Sequence, residues 1–431
     1  MMGIRRNFYN MKLRIQPLVA LCDRKVNICV SELPAYGKVK ITASMSLPWA
    51  TSISFKSAAW FTADANGQVN LSRQSPDSGS YDFVDSMGPI VSMESIDHKA
   101  MEKVLRDISV EKSQFIEIIV ECGQDRASAK LERLFIAKDV KKQRITKEFV
   151  GEFFYTENVN NQTIVWLGGS GSSLGVNSLI AAVLASHGFN VLSVAYYGEK
   201  GLPAQLSQIP LEYFERVFTW LLKNSVTRGK EVGVLGMSKG AELALILASR
   251  YPFITKVAVF APHAYCFQGL AFKNVSSWKY EGKSLPFVQL KNRWVFSSMV
   301  RAFIKNKPFQ FIDTYQKGLQ VTQNKEDARI KIEQAQADLM LFTSKECGMW
   351  NTYDGSVKIM NTLREHNYNH RYEMVVYENA GEPYYVPYVF PVGWTTAKIA
   401  PRLVLSMGGT LEGNAYARAD SWEKAIEFFK T

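Results

Sequence analysis

The stretch "VGVLGMSKGAELAL", Val232 to Leu245, decides the fold. An apolar run leads into Ser238, a second apolar run follows it, and Gly236 and Gly240 stand two residues to either side. A serine on a sharp strand-to-helix turn takes a strained backbone conformation, and a side chain at either flanking position would strike the strand or the helix. The spacing predicts a nucleophile elbow, with the Ser238 hydroxyl lifted above a sheet edge, rather than an incidental turn serine. A helix opening at Lys239 would aim its positive end at that hydroxyl and make the Lys239 amide one oxyanion donor. A second donor is expected from "LGGSGSS", residues 167 to 173, at Gly169 or Ser170, because Gly168, Gly169 and Gly171 let backbone come close to an acyl oxygen.

Outward from the elbow, the second part of the chain alternates continuous apolar strands with amphipathic helices. The strands are "TIVWLGG", "NVLSVAYY", "KVAVFAPH", "ADLMLFTS" and "RYEMVVYENAG"; the helices are "SLIAAVLASHG", "PLEYFERVFTWLLKN", "AELALILAS", "VKIMNTLREH" and "SWEKAIEFF". Strands buried on both faces and separated by helices predict a mainly parallel, doubly wound sheet over residues 141–431. Residues 1–140 read differently. Short alternating runs such as "KVNICVSEL", "KVKITASMSL", "SISFKSAAWFTAD" and "FIEIIVEC", broken by turns at "DANG" and "SPDSGS", predict an antiparallel β-sandwich, with one helix at "HKAMEKVLRDI". A chain of 431 residues exceeds one ordinary core, in keeping with two domains.

The net charge of +11 comes from scattered residues. Its densest run, "KDVKKQRITK" at 138 to 147, reads as a solvated interdomain segment rather than a nucleic-acid patch. A general positive field helps a polyanionic substrate find its site. Cys22, Cys29, Cys122, Cys266 and Cys347 form no CxxC pair and no metal-ligand spacing, so no metal or cofactor is expected, and a reducing, cytoplasmic setting fits them. No apolar run reaches the length of a membrane span, and the basic, acid-free start before Asp23 leaves organelle targeting open.

Four stretches together resemble the acyl-CoA thioesterase / bile acid-CoA:amino acid N-acyltransferase family. They are "AWFTADANGQVNLSRQSPDSGSYDFVDSMGPIVSM" at 59–93, "VLSVAYYGEKGLPAQLSQIPLEYFERVFTWLL" at 191–222, the elbow "GMSKGAELAL" at 236–245, and "MGGTLEGNAYARADSWEKAIEFF" at 407–429. The resemblance implies an Ig-like N-terminal domain followed by an α/β-hydrolase domain, acting on acyl-CoA thioesters. It also implies a serine nucleophile in the thioesterases and commonly a cysteine in the amino-acid transferases, so Ser238 leans toward hydrolysis.

The same resemblance exposes two departures. The family's carboxylate sits in a Gly-x-Asp-Asp-His-x-Trp turn; here that turn is "SKECGMW", and anchoring on Trp350 puts Glu346 and Cys347 in place of the two aspartates, with Cys347 at the catalytic one. The family's histidine follows Ala-Gly; here "ENAGEPYYVPY" puts Glu382 there. A glutamate replaces an imidazole near pH 7 only if burial raises its pKa well above the usual ~4.3. Of the five histidines, His98, His187, His366 and His370 read as capping or surface residues. His263, just past the strand after the elbow helix, has two readings: a relocated base for Ser238, or a satisfied loop histidine. Cys347 likewise reads as an inert replacement or a reactive thiol.

Two functions of different class remain. The first is an acyl-CoA thioester hydrolase, or a related N-acyltransferase, using Ser238 with Glu382 or His263 as base. The second is a catalytically inactive relative that binds acyl-CoA or a partner.

Overall fold

The computed structural model describes residues 11–95, 108–158, 161–171, 173–224, 226–227, 231–271, 273–382, 386–392, 396–400 and 403–431. The expected helix at 98–108, and His98 with it, lie almost wholly outside these residues, as does the basic start at 1–10. The chain forms two compact units: residues 1–135 together with 386–394, and residues 136–385 together with 395–431.

In the first unit, a seven-stranded sheet has as its longest members Lys38–Leu47, Ala50–Thr62, Gln114–Cys122 and Asp125–Leu134, paired antiparallel. Its short edge strand Val19–Leu21 runs parallel to Asp125–Leu134. A three-stranded antiparallel sheet, Lys12–Gln16, Asn27–Ser31 and Val69–Asn70, completes the unit. Period-two alternation sends Phe55, Ala59 and Phe61 inward from one strand and Ile116, Ile118 and Val120 from another. The "DANG" turn closes on Asp64, whose carboxylate accepts from the Asn66 and Gln68 amides, both at 2.9 Å.

The second unit is an eight-stranded mixed sheet flanked by helices. Its strands are β1 Lys141–Ile145, β2 Val150–Tyr155, β3 Thr163–Leu167, β4 Asn190–Ala195, β5 Val232–Met237, β6 Ile254–Phe260, β7 Asp338–Ser344 and β8 Tyr372–Tyr377. Their spatial order is β1-β2-β4-β3-β5-β6-β7-β8, with β1 and β2 antiparallel to their neighbours and the rest parallel. This is the α/β-hydrolase sheet. Every residue of β3, β4 and β5 is buried, as continuous apolar runs demand when helices cover both faces.

Helix α1 covers Leu174–Ala185, α2 Glu212–Lys223 and α3 Lys239–Ala248. In α2, Tyr213, Phe214, Val217, Phe218 and Leu221 form the inward stripe, each such side chain contributing about 1.5–3 kcal/mol, while Glu212 and Lys223 sit at the helix ends that favour their charges. Between β6 and β7 lie α4 Asn292–Lys305 and α5 Ile312–Val321; α6 Thr352–Glu365 follows β7. A hairpin, β9 Thr396–Ala400 with β10 Leu403–Ser406, precedes the last helix, α7 Leu411–Lys430.

The basic run at 138–147 is solvated, and part of it is also a strand. It supplies β1, the exposed edge of the large sheet, with Lys142 and Arg144 at 3.3 and 3.0 Å from Glu152 on β2. Charged edge strands look like solvated segments in sequence because both keep lysines in water; here the lysines guard the edge against further strand pairing.

Candidate functional site

In-register pairing brings Leu167 beside Gly236, Met237 beside Phe260, and Phe260 beside Phe342, so β3, β5, β6 and β7 end together. The loops leaving these ends frame the crevice in which open α/β sheets gather their chemistry. Ser238 directly follows β5 at these ends, with φ 53° and ψ −117°, a strained conformation for a residue with a side chain. Its amide donates to Phe260 O at 2.9 Å, which holds the turn to β6. A Cβ on Gly236 would lie 2.4 Å from Gly240 O, and one on Gly240 would lie 2.0 Å from Leu167 O. Those two contacts are the steric reason for both glycines.

The first turn of α3 points at Ser238. The Ala241 and Glu242 amides donate back to Ser238 O at 2.9 and 3.1 Å, while the Lys239 amide, as the first of the helix, has no partner within it. The glycine loop approaches from the other side: a Cβ on Gly169 would be 3.2 Å from Ser238 Cβ. Two tyrosine hydroxyls hold that loop from behind. Tyr196 donates to Gly168 O, and Tyr197 donates to Gly169 O at 3.1 Å and to Ser170 O at 2.6 Å. With those carbonyls fixed, the orientation of the intervening amides is fixed as well.

Behind α3 lies a buried ion pair. Lys239 Nζ is 2.7 Å from each oxygen of Glu242, and Glu242 also accepts from Trp278 Nε1 at 2.6 Å and the Phe267 amide at 3.2 Å. A buried carboxylate with this many donors is fully compensated, and it fastens the elbow helix to residues 267–278.

Glu382 and Cys347 meet Ser238. The Ser238 side chain lies near enough to Glu382 to draw its pKa down, and Cys347 Sγ donates to Glu382 Oε2 at 3.5 Å. Burial raises Glu382 to about 7, against the opposing pull of those two side chains. The Cys347 thiol is itself pushed well above its ordinary value, first by burial and then by the Glu382 charge, so it stays protonated and serves as a neutral donor. Met407 O, just past β10, accepts from both the Glu382 and the Gly348 amides, at 3.2 and 2.9 Å, which sets the two loops against each other.

The other expected partners go elsewhere. His263 is buried, its Nδ1 accepts from the Tyr265 amide at 3.3 Å, and its ring lies among Tyr265, Phe267 and Trp350. Burial, reinforced by the Lys239 charge, lowers it to about 3, leaving a neutral ring occupied in packing rather than bonded to Ser238. Glu346 is exposed, whereas Cys347 turns inward. Two residues that hold the site had no role assigned from sequence, Tyr196 and Tyr197, visible only as a signature; Tyr315 on α5 is half-buried, and its hydroxyl is raised by loss of solvent and by the nearby charges of Glu242 and Glu382. Nothing local to Tyr315 in the sequence announces its place. Among the described residues, no group of three or more His, Cys, Asp or Glu is placed to hold a metal ion, and no helix is long and apolar enough to cross a membrane.

Comparison with known proteins gives a consistent picture. The family described as BAAT / acyl-CoA thioester hydrolase C terminal matches residues 209–431, and the acyl-CoA thioester hydrolase/BAAT N-terminal region matches residues 23–147. The chain is 25% identical to acyl-coenzyme A thioesterase 2, mitochondrial, of Mus musculus over 97% of its own length and 89% of that protein's. It is 26% identical to acyl-coenzyme A amino acid N-acyltransferase 1 of Mus musculus, over 97% of each chain. Among solved structures, esterase B from Lactobacillus rhamnosis aligns with a TM-score of 0.39 and 13% identity, over 68% of this chain and 88% of that one.

Proposed function

The chain belongs to the BAAT / acyl-CoA thioester hydrolase family, and from that premise we propose that it hydrolyses acyl-CoA thioesters through Ser238, with Glu382 in the role of general base. The observation that carries the proposal is the buried Glu382 carboxylate, raised to about 7, hydrogen-bonded to Cys347 and close enough to Ser238 for that side chain to act on its pKa. A base serves best when its pKa lies near the working pH.

In the proposed reaction Ser238 Oγ attacks the thioester carbonyl while its proton passes to Glu382. Negative charge builds on the carbonyl oxygen and is met by the Lys239 amide and by an amide of the glycine loop at Gly169 or Ser170. The tetrahedral species collapses, the carbon–sulfur bond breaks, and the departing thiolate takes the proton from Glu382. That transfer runs downhill, since an ordinary thiol titrates near ~8.5. A water molecule then gives its proton to Glu382 and attacks the acyl-serine, which releases the free acid and restores the Ser238 hydroxyl.

Cys347 supports the same reading. An aspartate beside Glu382 would set two carboxylates against each other and push one of them out of the working range. A neutral thiol steadies the carboxylate and adds no charge. The two departures therefore make sense as a set, and their pairing favours altered chemistry over decay. We further propose an Ig-like sandwich for the first unit, a domain boundary near residue 140 with 386–394 belonging to the first unit, and acyl-CoA as the ligand.

Release of thiol from a long-chain acyl-CoA tests the reaction. Ser238→Ala should lower kcat/KM by about 10⁴-fold, the usual cost of losing a triad member. Equal release by wild type and Ser238→Ala would end the hydrolase reading.

A further inference from the structure

Between Glu281 and Asp313 the chain holds no acidic residue, yet it carries Lys283, Lys291, Arg293, Arg301, Lys305 and Lys307. Helix α4 lies in this segment. One side of it is anchored: Ser298 and Ala302 are buried, and Val295 and Met299 pack beside Phe309 and Leu403. Another side is bare, with Phe296 69%, Val300 40%, Phe303 51% and Ile304 75% exposed. Their spacing of i, i+4, i+7 and i+8 puts them on one stripe. Lone exposed apolar side chains are ordinary, but a contiguous stripe on one helix marks a docking surface.

Charge selects the occupant. Two copies of this chain meeting through the stripe would crowd their cations together, with no carboxylate in the segment to answer them, whereas anionic lipid headgroups would answer every one. An apolar face of Phe, Val and Ile flanked by Arg and Lys is also the make-up of a helix that lies in the plane of a membrane surface.

The helix is tied to the crevice. Just past it, the Phe309 amide donates to Val404 O at 2.6 Å and Phe309 O accepts from the Ser406 amide at 2.9 Å. The Phe311 and Ile312 amides donate to Gly348 O at 2.9 and 3.1 Å. Gly348 follows Cys347, and Met407, which follows Ser406, accepts from the Glu382 amide at 3.2 Å.

We propose that α4 is an interfacial docking helix that seats the protein on an anionic phospholipid surface, with its apolar stripe at the acyl boundary and its cations among the headgroups. Docking does not depend on the hydrolase reading. If both hold, the same contact presents an acyl chain dissolved in the bilayer to the neighbourhood of Ser238.

The test is co-sedimentation of the full chain with vesicles of equal parts phosphatidylserine and phosphatidylcholine, and with vesicles of phosphatidylcholine alone, followed without any turnover. Binding is expected to the anionic vesicles, to weaken with salt, and to be at least tenfold weaker on the neutral ones. With each cation near an anionic surface contributing ~1 kcal/mol, Arg301→Ser with Lys305→Ser should lower partitioning roughly thirtyfold. Phe296→Ser with Ile304→Ser should remove binding at low and at high salt alike. All four positions are exposed, and an unchanged circular dichroism spectrum confirms that each variant is folded; should the apolar pair fail to fold, the charge pair decides. Equal binding to both vesicle types, no binding to either, or unchanged binding by the variants overturns the proposal. So does a wild-type dimer that Phe296→Ser with Ile304→Ser turns into a monomer while vesicles capture neither, which would make a second copy the occupant.

Discussion

On one side of Ser238 stand the parts that would receive charge: the Lys239 amide, the glycine loop at 168–171 with Tyr196 and Tyr197 behind it, and the Lys239–Glu242 pair that fastens α3. On the other side stand Glu382, which would move a proton, and Cys347, which steadies it. The first side keeps the residue types that the family resemblance implies. The second departs from them at both positions. The contrast teaches that backbone geometry around a nucleophile is hard to rebuild piecemeal, because Gly236 and Gly240 have backbone oxygens within 2.4 and 2.0 Å of any added Cβ. A base and its support are side chains, and side chains can be exchanged together when their charges remain compatible.

The charge-receiving side breaks most severely. Glu242→Gln leaves the Lys239 ammonium buried without its counter-ion, a loss of about 3–5 kcal/mol. Chemical denaturation should register it as a lower midpoint with little change in slope.

On the proton-moving side, stability and pH are linked through Glu382. Its folded value of about 7 lies above the unfolded ~4.3, so the folded state holds the extra proton between those limits. The cost is nearly absent at pH 4, grows as pH rises toward 7, and is constant above that, reaching about 3–4 kcal/mol. Glu382→Gln should remove it: more stable than wild type by up to about 3–4 kcal/mol at pH 8 and nearly equal to it at pH 4. Melting curves at the two pH values check this, and a variant less stable at pH 8 would contradict it.

Cys347→Asp sharpens the comparison at smaller scale. A second carboxylate against Glu382 should raise the pKa of the pair. Each unit of that rise costs roughly tenfold in turnover at pH 7 and should be regained near pH 9. A uniform loss at every pH would point instead to plain disruption of packing.

Much of this was legible in the sequence. The elbow, the glycine loop and the succession of buried strands are local patterns, and the substitutions at Cys347 and Glu382 follow from aligning two short turns. What the sequence could not convey depends on burial and on pairing at a distance. Glu382 becomes a candidate base only because burial lifts it, and that burial is assembled from loops far apart in the chain. Tyr196 and Tyr197 acquire a role only once they are seen to reach carbonyls 27 and 28 positions earlier. His263 looked available because strand order placed it near the crevice, yet ring packing and the Tyr265 amide occupy it. The lysines of β1 looked like a solvated segment because an exposed edge strand and a linker expose the same charges.

The pH dependence of kcat/KM for acyl-CoA hydrolysis, compared between wild type and Glu382→Gln, tests the central claim most directly. The wild-type rate should climb to a plateau with a midpoint about 7, and the variant should be slower by about 10³–10⁴-fold and lack that midpoint. The same midpoint in both proteins, or a wild-type rate that is flat across neutral pH, would contradict it.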